Sequence, residues 1–317
     1  MASELKKKYG LLTAICMVVG IVVGSGVFFK AEAMLNITSG DLPVALLSWL
    51  LGGIVMVISA YTFSVMGTMY EKINGVVDYS EALVGSKYAY YVGWFMTTIY
   101  TPALASMLAF FSAMMFLQLF GISAIDFANG QVNAVAIGVG AGFLMIGYGI
   151  NALSPKIAGK LQVGMTVIKL IPLILMGVAG TIAGLVNGTT LEVLDYVNSA
   201  DYVAVDGTGF FKAIVGFAFA YEGWILATSI NAELKDSKRN LPKALLIGTV
   251  IVAVVYVVYY IGLSGAIDSA TLMANAQSGA KSAFMNVFGQ VGGIAIFAFV
   301  SISCWGTCNG LTMAVTR

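Results

Sequence analysis

Long apolar stretches separated by short polar segments make up most of this sequence of 317 residues. Each stretch has the roughly 20 residues that a helix needs to cross about 30 Å of hydrocarbon. Transmembrane β-strands would be about half as long and would alternate in polarity. The pattern therefore predicts an all-α polytopic membrane protein. The predicted spans are 10–36, 43–69, 88–120, 132–150, 158–186, 208–234, 240–266 and 288–316.

The segments between these spans are short, so we expect one transmembrane domain over 1–317 without an attached soluble domain. Residues 71–87 mix apolar and charged positions as a short amphipathic helix does, although a plain loop also fits. The acidic segment 187–207 is expected to be solvated, and 267–286 is long enough for one or two short helices. The first span is too long for a signal-peptide core and is expected to be retained.

Composition supports the membrane assignment and orients the chain. Hydrophobic residues make up 59% and charged residues 10%, and the mean hydropathy is +0.93, whereas about a quarter of residues are charged in soluble domains. The net charge of +1 gives no reason to expect a nucleic-acid partner. Basic residues cluster on one predicted side, and the positive-inside rule assigns that side to the cytoplasm. We expect a multi-pass protein of the plasma membrane with a cytoplasmic N-terminus.

The charge bias that supports this orientation is large. Three basic residues fall on the predicted outer side, namely Lys30, Lys212 and Lys281, and Lys169 lies inside a span. The other twelve fall on the predicted cytoplasmic side: Lys6, Lys7, Lys8, Lys72, Lys87, Lys156, Lys160, Lys235, Lys238, Arg239, Lys243 and Arg317.

Cysteine and histidine content limits the possible chemistry. The sequence has no histidine, and its three cysteines, Cys16, Cys304 and Cys308, all lie within predicted spans. This predicts no Cys/His metal site, no cofactor, and no disulfide link to a partner subunit. Cys304 and Cys308 are four residues apart on one helical face, which fits close packing of small residues.

Two spans contain glycines or charge where continuous apolar helix is expected. The first span has Gly20 and then Gly24-Ser25-Gly26, and the sixth has "FAFAYEGW" at 217–224. Transporters built from inverted five-span repeats place a broken helix at the head of each repeat, near the substrate site. The two segments are five spans apart, although the two halves show no side-by-side sequence match. Close helix packing through Gly20 and Gly24 is the alternative for the first segment.

Only two ionisable residues lie deep within the predicted spans, Lys169 and Glu222. A charge at mid-bilayer costs at least ~2.5 kcal/mol on insertion scales and usually faces a partner or a cavity. Both residues are therefore candidates for a substrate or ion pathway. A buried structural pair, or neutralisation through a shifted pKa, would explain them equally simply.

The interrupted spans predict a site for a zwitterion. Unwinding at Gly24 and Gly26 would expose backbone N–H groups at a helix N-terminus, which bind anions, and Ser25 adds a hydroxyl. A break near Phe219 and Ala220 would free carbonyls that accept hydrogen bonds from an ammonium group. Unwound backbone at this depth is tolerated where it lines a cavity or is buried. The two ends together suit the head group of an amino acid.

Aromatic residues beside the second break could line or close such a cavity. They are Phe219, Tyr221, Trp224 and, on the third span, Tyr100. Ordinary packing explains most aromatic residues in a chain of this composition, so only Phe219, which adjoins the break, is predicted to act as a gate.

Four motifs in order resemble the L-type amino acid transporter family of the amino acid-polyamine-organocation superfamily. They are "GIVVGSGVFF", "TVIKLIP", "FAFAYEGW" followed by "ELKDSKRNLPKA", and "GTCNG". The similarity is greatest to bacterial exchangers of small neutral amino acids, of the alanine-serine-cysteine or serine/threonine type. It implies the leucine-transporter type of five-plus-five inverted-repeat fold, with helices 1 and 6 broken.

The resemblance also implies roles for individual residues around the first break. Gly24, Ser25 and Gly26 would bind the substrate carboxylate. The Val22 carbonyl would bind the α-amino group. Lys169 would occupy the place of a sodium ion in sodium-coupled relatives and bridge the first span to the eighth, which would make transport sodium-independent.

For the sixth span, the resemblance implies that the carbonyls of Phe219, Ala220 and Glu222 complete the α-amino site. Phe219 would close over the substrate from outside. An acid at the position of Glu222 is found in carriers of both neutral and basic amino acids, so it does not fix the substrate.

The family has twelve spans, so the eight spans of this sequence are expected to be a fragment that lacks spans 9–12. The predicted function is sodium-independent exchange of small neutral L-amino acids, of the alanine, serine, cysteine and threonine class, across the bilayer. A proton-coupled symporter and a non-transporting amino acid-binding protein are the alternatives. An enzyme is not predicted, because a Ser25–Lys169 dyad across two spans would be its only nucleophile arrangement.

Overall fold

A computed structural model describes residues 7–70, 74–126, 129–195, 198, 202, 204–274 and 279–315. Helices make up nearly all of this part of the chain. The α-helices are α1 (Leu11–Val22), α2 (Gly26–Ile37), α3 (Leu42–Met69), α4 (Val76–Val84), α5 (Ser86–Phe95), α6 (Thr101–Gln118), α7 (Ala134–Leu153), α8 (Pro155–Asn187), α9 (Thr189–Asp195), α10 (Gly207–Ala220), α11 (Ser237–Ala266), α12 (Ser269–Ala274) and α13 (Gly279–Val315).

Other elements connect these helices. A π-helix, Met96–Tyr100, joins α5 to α6, and a 3₁₀ helix, Trp224–Glu233, follows α10. A short antiparallel hairpin pairs β1 (Ile125–Asp126) with β2 (Gln131–Val132) ahead of α7. Sequence patterning did not predict the π-helix, the 3₁₀ helix or the hairpin, because each is set by local hydrogen bonding rather than by hydrophobic period.

Seven helical segments within the described residues are long and apolar enough to cross a membrane, and Leu11–Val22 is a shorter apolar helix. Together with the divided first span, they correspond in order to the eight predicted spans. The eighth was predicted to begin at 288, and α13 consists of two helical parts that meet at Gly289, where the backbone is non-helical with φ 71°. A glycine tolerates this positive φ, so one helical part ends there and the next begins, in agreement with the predicted start.

Several connecting segments also carry structure. The predicted amphipathic helix is present as α4, with 71–73 outside the described residues, and α12 lies within the segment expected to hold short helices. The expectation that 187–207 is simply solvated was wrong for α9, where Val193 is buried while Glu192 and Asp195 are exposed. Helix α9 packs on α8 and α11, and one apolar side chain suffices to dock it.

The first and sixth spans are each interrupted. Helix α1 ends at Val22 and α2 begins at Gly26. Helix α10 ends at Ala220, and Gly223, at φ 105°, turns the chain into the 3₁₀ helix. A Cβ at Gly223 would lie 2.7 Å from Ile21 Cγ2, so glycine is required there both for its backbone angle and for its contact with α1.

Helix α1 lies at the centre of the bundle, in contact with α8, α11, α13 and the 3₁₀ helix. Residues just before it hold it to the end of the 3₁₀ helix: the N–H groups of Lys8 and Tyr9 donate to the Glu233 carbonyl, and Lys235 N donates to Tyr9 O at 2.9 Å. Lys8 Nζ pairs with Glu233 Oε1 at 2.9 Å, and the Tyr9 hydroxyl donates to Pro155 O at 3.1 Å.

Helices α8 and α11 pack through glycines in their C-terminal halves. Gly177 faces Val258, Gly180 faces Gly262, and Gly184 faces Gly265. Any Cβ at Gly262 would overlap the Met176 carbonyl. Small residues let two backbones approach closely where hydrophobic burial supplies no driving force between helices.

Gly262→Ala is therefore expected to lower the stability of the protein by about 1–3 kcal/mol, the usual cost of overpacking. Gly142→Ala on α7 is the matched control, since a Cβ there meets no atom within 4 Å and alanine favours helix by up to about 1 kcal/mol. Thermal unfolding of both variants in one detergent measures the difference. Equal midpoints would show that the glycine contact does not limit stability.

Candidate functional site

The break in the first span is held open by donors from α8 and α13. Lys169 Nζ donates to Gly20 O at 2.8 Å and to Val23 O at 2.7 Å. It also donates to Thr307 Oγ1 at 3.0 Å. These carbonyls would bond within the helix if α1 continued, so Lys169 supplies the donors that the break removes.

Lys169 itself is fully buried. Within the described part of the chain, it makes no ion pair, and its three acceptors are neutral oxygens. The ammonium group is thus satisfied as a small coordinated cation would be, with all three N–H groups used.

Two hydroxyls on α13 complete this arrangement. Ser303 Oγ lies 3.1 Å from Val23 O and 3.2 Å from Gly24 O. Thr307 Oγ1 lies 3.0 Å from both Gly20 O and Val23 O. The carbonyls of the unwound segment therefore point toward α8 and α13.

The N–H groups at the start of α2 point elsewhere and remain free. Among the described residues, no acceptor takes the backbone N–H of Ser25, Gly26 or Val27. The first N–H groups of a helix have no partner within it, and together with the helix dipole they favour an anion.

The break in the sixth span presents acceptors to these donors. Among the described residues, nothing donates to the carbonyls of Ala220 and Glu222. A Cβ built on Gly26 would lie 3.4 Å from Ala220 Cα, so the two breaks nearly touch. Free donors and free acceptors thus meet at one place.

A cavity of about 70 Å³ lies at this meeting point. All seven residues predicted to bind substrate line it: Val22, Gly24, Ser25, Gly26, Phe219, Ala220 and Glu222. The rest of the lining is mostly apolar and comes from Ile21, Leu104, Met107, Leu108, Gly223, Thr307 and Leu311.

Two side chains at the cavity have polar partners. Glu222 Oε1 accepts a hydrogen bond from the Tyr100 hydroxyl at 2.6 Å, and Tyr100 closes the π-helix, an element often found at functional sites. Phe219 is half exposed, with Lys30 Nζ 5.1 Å from its ring centroid. Lys169 and Glu222 are not paired with each other, so the alternative of a buried structural pair was wrong.

Three of the backbone groups that were predicted to bind substrate have hydrogen-bond partners within the protein. Val22 O accepts from Gly24 N at 2.9 Å and from the Tyr256 hydroxyl at 3.0 Å. This uses both the Val22 acceptor and the Gly24 donor. Phe219 O accepts from Tyr221 N and Glu222 N in the turn after α10. Ser25, Gly26, Ala220 and Glu222 keep free backbone groups, and the Val27 N–H joins them.

Two of the candidate cavity aromatics belong to the packed core instead. The Tyr221 hydroxyl donates to Trp49 O at 3.0 Å, and its ring stacks on Tyr256 at 5.2 Å. Trp224 packs edge-on against Phe63 at 5.4 Å. Neither residue lines the cavity. The small-residue alternative for Gly20 is correct, since a Cβ there would overlap Gln162 and Thr166 of α8.

Sequence reasoning missed Ser303, Thr307 and Tyr256, which position the first break. Ser303 and Thr307 are four residues apart within an apolar span, so they share a helical face. That spacing was a usable signal. The contact of Tyr256 with Val22 had no signal in a single sequence, because it depends on how α11 packs against α1.

Comparison with known proteins places the chain in a family. A family model described as amino acid permease matches residues 9–317. The serine/threonine exchanger SteT of Bacillus subtilis (strain 168) is 31% identical over 313 residues, covering 99% of this chain and 67% of the exchanger. The human cystine/glutamate transporter is 25% identical over 316 residues, covering 99% of this chain and 60% of that protein.

The rabbit (Oryctolagus cuniculus) b(0,+)-type amino acid transporter 1 is 26% identical over 317 residues, with 99% of this chain and 62% of the relative covered. The chain thus spans about 60–67% of the length of these relatives. The resemblance to L-type amino acid transporters is confirmed, and with seven membrane-capable helices among its described residues the chain is a multi-pass membrane protein. The chain belongs to the amino acid permease family of the amino acid-polyamine-organocation superfamily.

Proposed function

We propose that the protein exchanges small neutral L-amino acids across the plasma membrane without sodium. The observation that carries this proposal is the cavity between the two breaks, where the free N–H groups of Ser25 and Gly26 face the free carbonyls of Ala220 and Glu222. The donor end suits a carboxylate and the acceptor end suits an ammonium group. Gly26 and Ala220 are close enough for the carboxylate and the ammonium group of one amino acid to reach the donor end and the acceptor end at the same time.

The size and lining of the cavity support a substrate amino acid with a small, uncharged side chain. Leu104, Met107 and Leu108 form an apolar wall, and no cationic side chain lines the cavity. The similarity to a serine/threonine exchanger supports the same substrate class. Glu222, held by Tyr100, is the polar group available to a substrate hydroxyl.

Sodium independence is proposed from the contacts of Lys169. Its ammonium occupies a position surrounded by two backbone carbonyls and a hydroxyl, which are the hard oxygen ligands that a sodium ion would take. An ammonium group in this position would take the place of the ion.

Transport by alternating access is proposed for the fold as a whole. Spans one, two, six and seven would rock as a bundle against spans three, four, five and eight, in an arrangement of inverted five-span repeats. Phe219 would close the outer side. The excess of basic residues at the N-terminal side supports a cytoplasmic N-terminus.

Exchange is tested by efflux from liposomes that carry the reconstituted protein and are preloaded with radiolabelled serine. We expect efflux to be at least about tenfold faster with external serine or alanine than with buffer, because the empty site would not reorient. Replacing external sodium by choline should leave the rate unchanged. Equal efflux into buffer would exclude obligatory exchange, and binding without flux would favour a non-transporting protein.

A proton-coupled symporter is the second candidate, since Lys169 and Glu222 are titratable groups at or beside the cavity. An imposed pH gradient, with no amino acid on the opposite side, would then drive uptake, and Lys169→Ala would abolish that uptake. Exchange predicts no accumulation under the same gradient.

A further inference from the structure

The first halves of α8 and α11 flank the start of α1. The two helices touch at Gly177 and Val258 and at the glycine pairs beyond. Nearer their N-termini both helices face α1: Gly159 of α8 faces Thr13, and Gly248 of α11 faces Val18. We call the surface between these first halves the groove, and α1 forms its floor.

The floor of this groove is exposed. Leu12 of α1 is 65% exposed, although its neighbours Thr13 and Ile15 contact α8 and α11 at Gly159 and Gly248. On a helix of 3.6 residues per turn, Leu12 lies between the face toward α8 and the face toward α11. An apolar side chain thus faces outward between two helices, at the end of the segment that leads to the first break.

The walls of the groove show the same order of charged and apolar residues on both helices. On α8, residues 156, 160, 163 and 167 share one face, and on α11 residues 243, 247, 250 and 254 share one face. Each stripe starts with lysine and continues with exposed apolar residues. The lysines are Lys156, Lys160 and Lys243, and the exposed apolar residues include Val167 and Ile247.

These three lysines are exposed and make no ion pair within the described part of the chain. Their ammonium groups form one end of the groove, and hydrocarbon-compatible side chains form the rest. That order, cations at the rim and apolar surface below, complements a lipid with an anionic head group and an acyl chain.

We propose that this groove binds an anionic phospholipid of the leaflet in which α8 and α11 begin, with its phosphate among Lys156, Lys160 and Lys243 and one acyl chain along Leu12. The lipid then lies against α1, the helix that carries the first break. An occupied groove holds α1 between α8 and α11, so anionic lipid stabilises the conformation described above. The proposal does not depend on which amino acid is carried.

The test compares two triple variants with the same change in charge. Lys156→Gln/Lys160→Gln/Lys243→Gln removes the rim of the groove. Lys87→Gln/Lys212→Gln/Lys238→Gln removes three exposed cations outside it. The purified proteins are titrated in detergent with phosphatidylglycerol or with phosphatidylcholine, and the thermal unfolding midpoint is recorded.

Phosphatidylglycerol should raise the midpoint of the unmodified protein more than phosphatidylcholine does. Each lysine near an anionic lipid raises the binding affinity roughly fivefold. The groove variant should therefore bind phosphatidylglycerol at least about tenfold more weakly, while the unfolding midpoint of the control variant should still rise with this lipid. Equal losses in both variants, or no difference between the lipids with the unmodified protein, would overturn the proposal.

Two further measurements complete the test. One distinguishes binding of a lipid from binding of a free anion, and the other keeps the test valid if the triple variant folds poorly. Soluble glycerol phosphate should not raise the midpoint, and an equal rise would show an anion site that needs no lipid. Val167→Trp keeps every charge but narrows the groove, so it should also lose the response to phosphatidylglycerol. A full response in Val167→Trp would contradict binding of an acyl chain there.

Discussion

Gly26→Leu is expected to abolish amino acid binding while the protein still inserts and folds. A Cβ at this position already lies 3.4 Å from Ala220 Cα and 3.5 Å from its Cβ, so a larger side chain has to occupy the cavity. It would fill the space between the free N–H groups of α2 and the carbonyls after α10. Binding measured by isothermal titration with serine should fall below detection.

Gly26→Ala is the matched control, because its methyl group makes only ordinary van der Waals contact with Ala220. We expect its affinity to remain within a few fold of the unmodified protein. Both variants should elute as single species in size-exclusion chromatography. Retained affinity in Gly26→Leu, in a protein that folds, would place the amino acid site elsewhere.

Lys169→Ala is expected to make the protein depend on sodium. Without the ammonium, the carbonyls of Gly20 and Val23 and the Thr307 hydroxyl lose their shared donor. Hydrogen bonds to a charged group contribute about 1.5–3 kcal/mol each, so the loss of even two of the three should lower exchange in sodium-free buffer by at least about a hundredfold. Sodium ions should restore part of the rate, because the vacated oxygens suit a hard cation.

The comparison is made in liposomes with sodium or choline as the only external cation. The unmodified protein should show the same rate in both, and Lys169→Met, whose side chain fills the vacated space, should remain inactive in both. A Lys169→Ala protein that binds serine normally without sodium would show that the ammonium does not maintain the first break. If the Lys169→Ala protein unfolds in choline but not in sodium, a higher thermal unfolding midpoint in sodium would show that the ion binds at the vacated oxygens.

The sequence predicted the positions of the helices well because hydrophobic length is a strong signal in a membrane. The predicted start of the eighth span at 288 lies next to Gly289, where non-helical backbone separates the two parts of α13. The 3₁₀ winding after Trp224 could not be predicted, since 3₁₀ and α-helix have the same composition. Its stability depends on contacts with α1 and α3.

The sequence predicted which segments form the candidate site better than it predicted which individual atoms are free to bind a substrate. Glycines and an acid within apolar spans indicated both breaks, and all the predicted residues except Lys169 line one cavity. Which backbone groups are free was not predictable, because Val22 O accepts the Tyr256 hydroxyl through a tertiary contact and the Gly24 N–H in a local turn. Lys169 lies behind the break, where it supports the backbone.

The 3₁₀ helix from Trp224 to Glu233 has a mechanical consequence. Its 10 residues extend over about 20 Å at a rise of about 2.0 Å per residue, while an α-helix of the same residues would measure about 15 Å. Rewinding would therefore shorten the second half of the sixth span by about 5 Å. Because Tyr9 and Lys8 are bonded to its far end, that shortening would pull on the start of α1. A change of winding in the sixth span would thus be transmitted to the first span through these bonds.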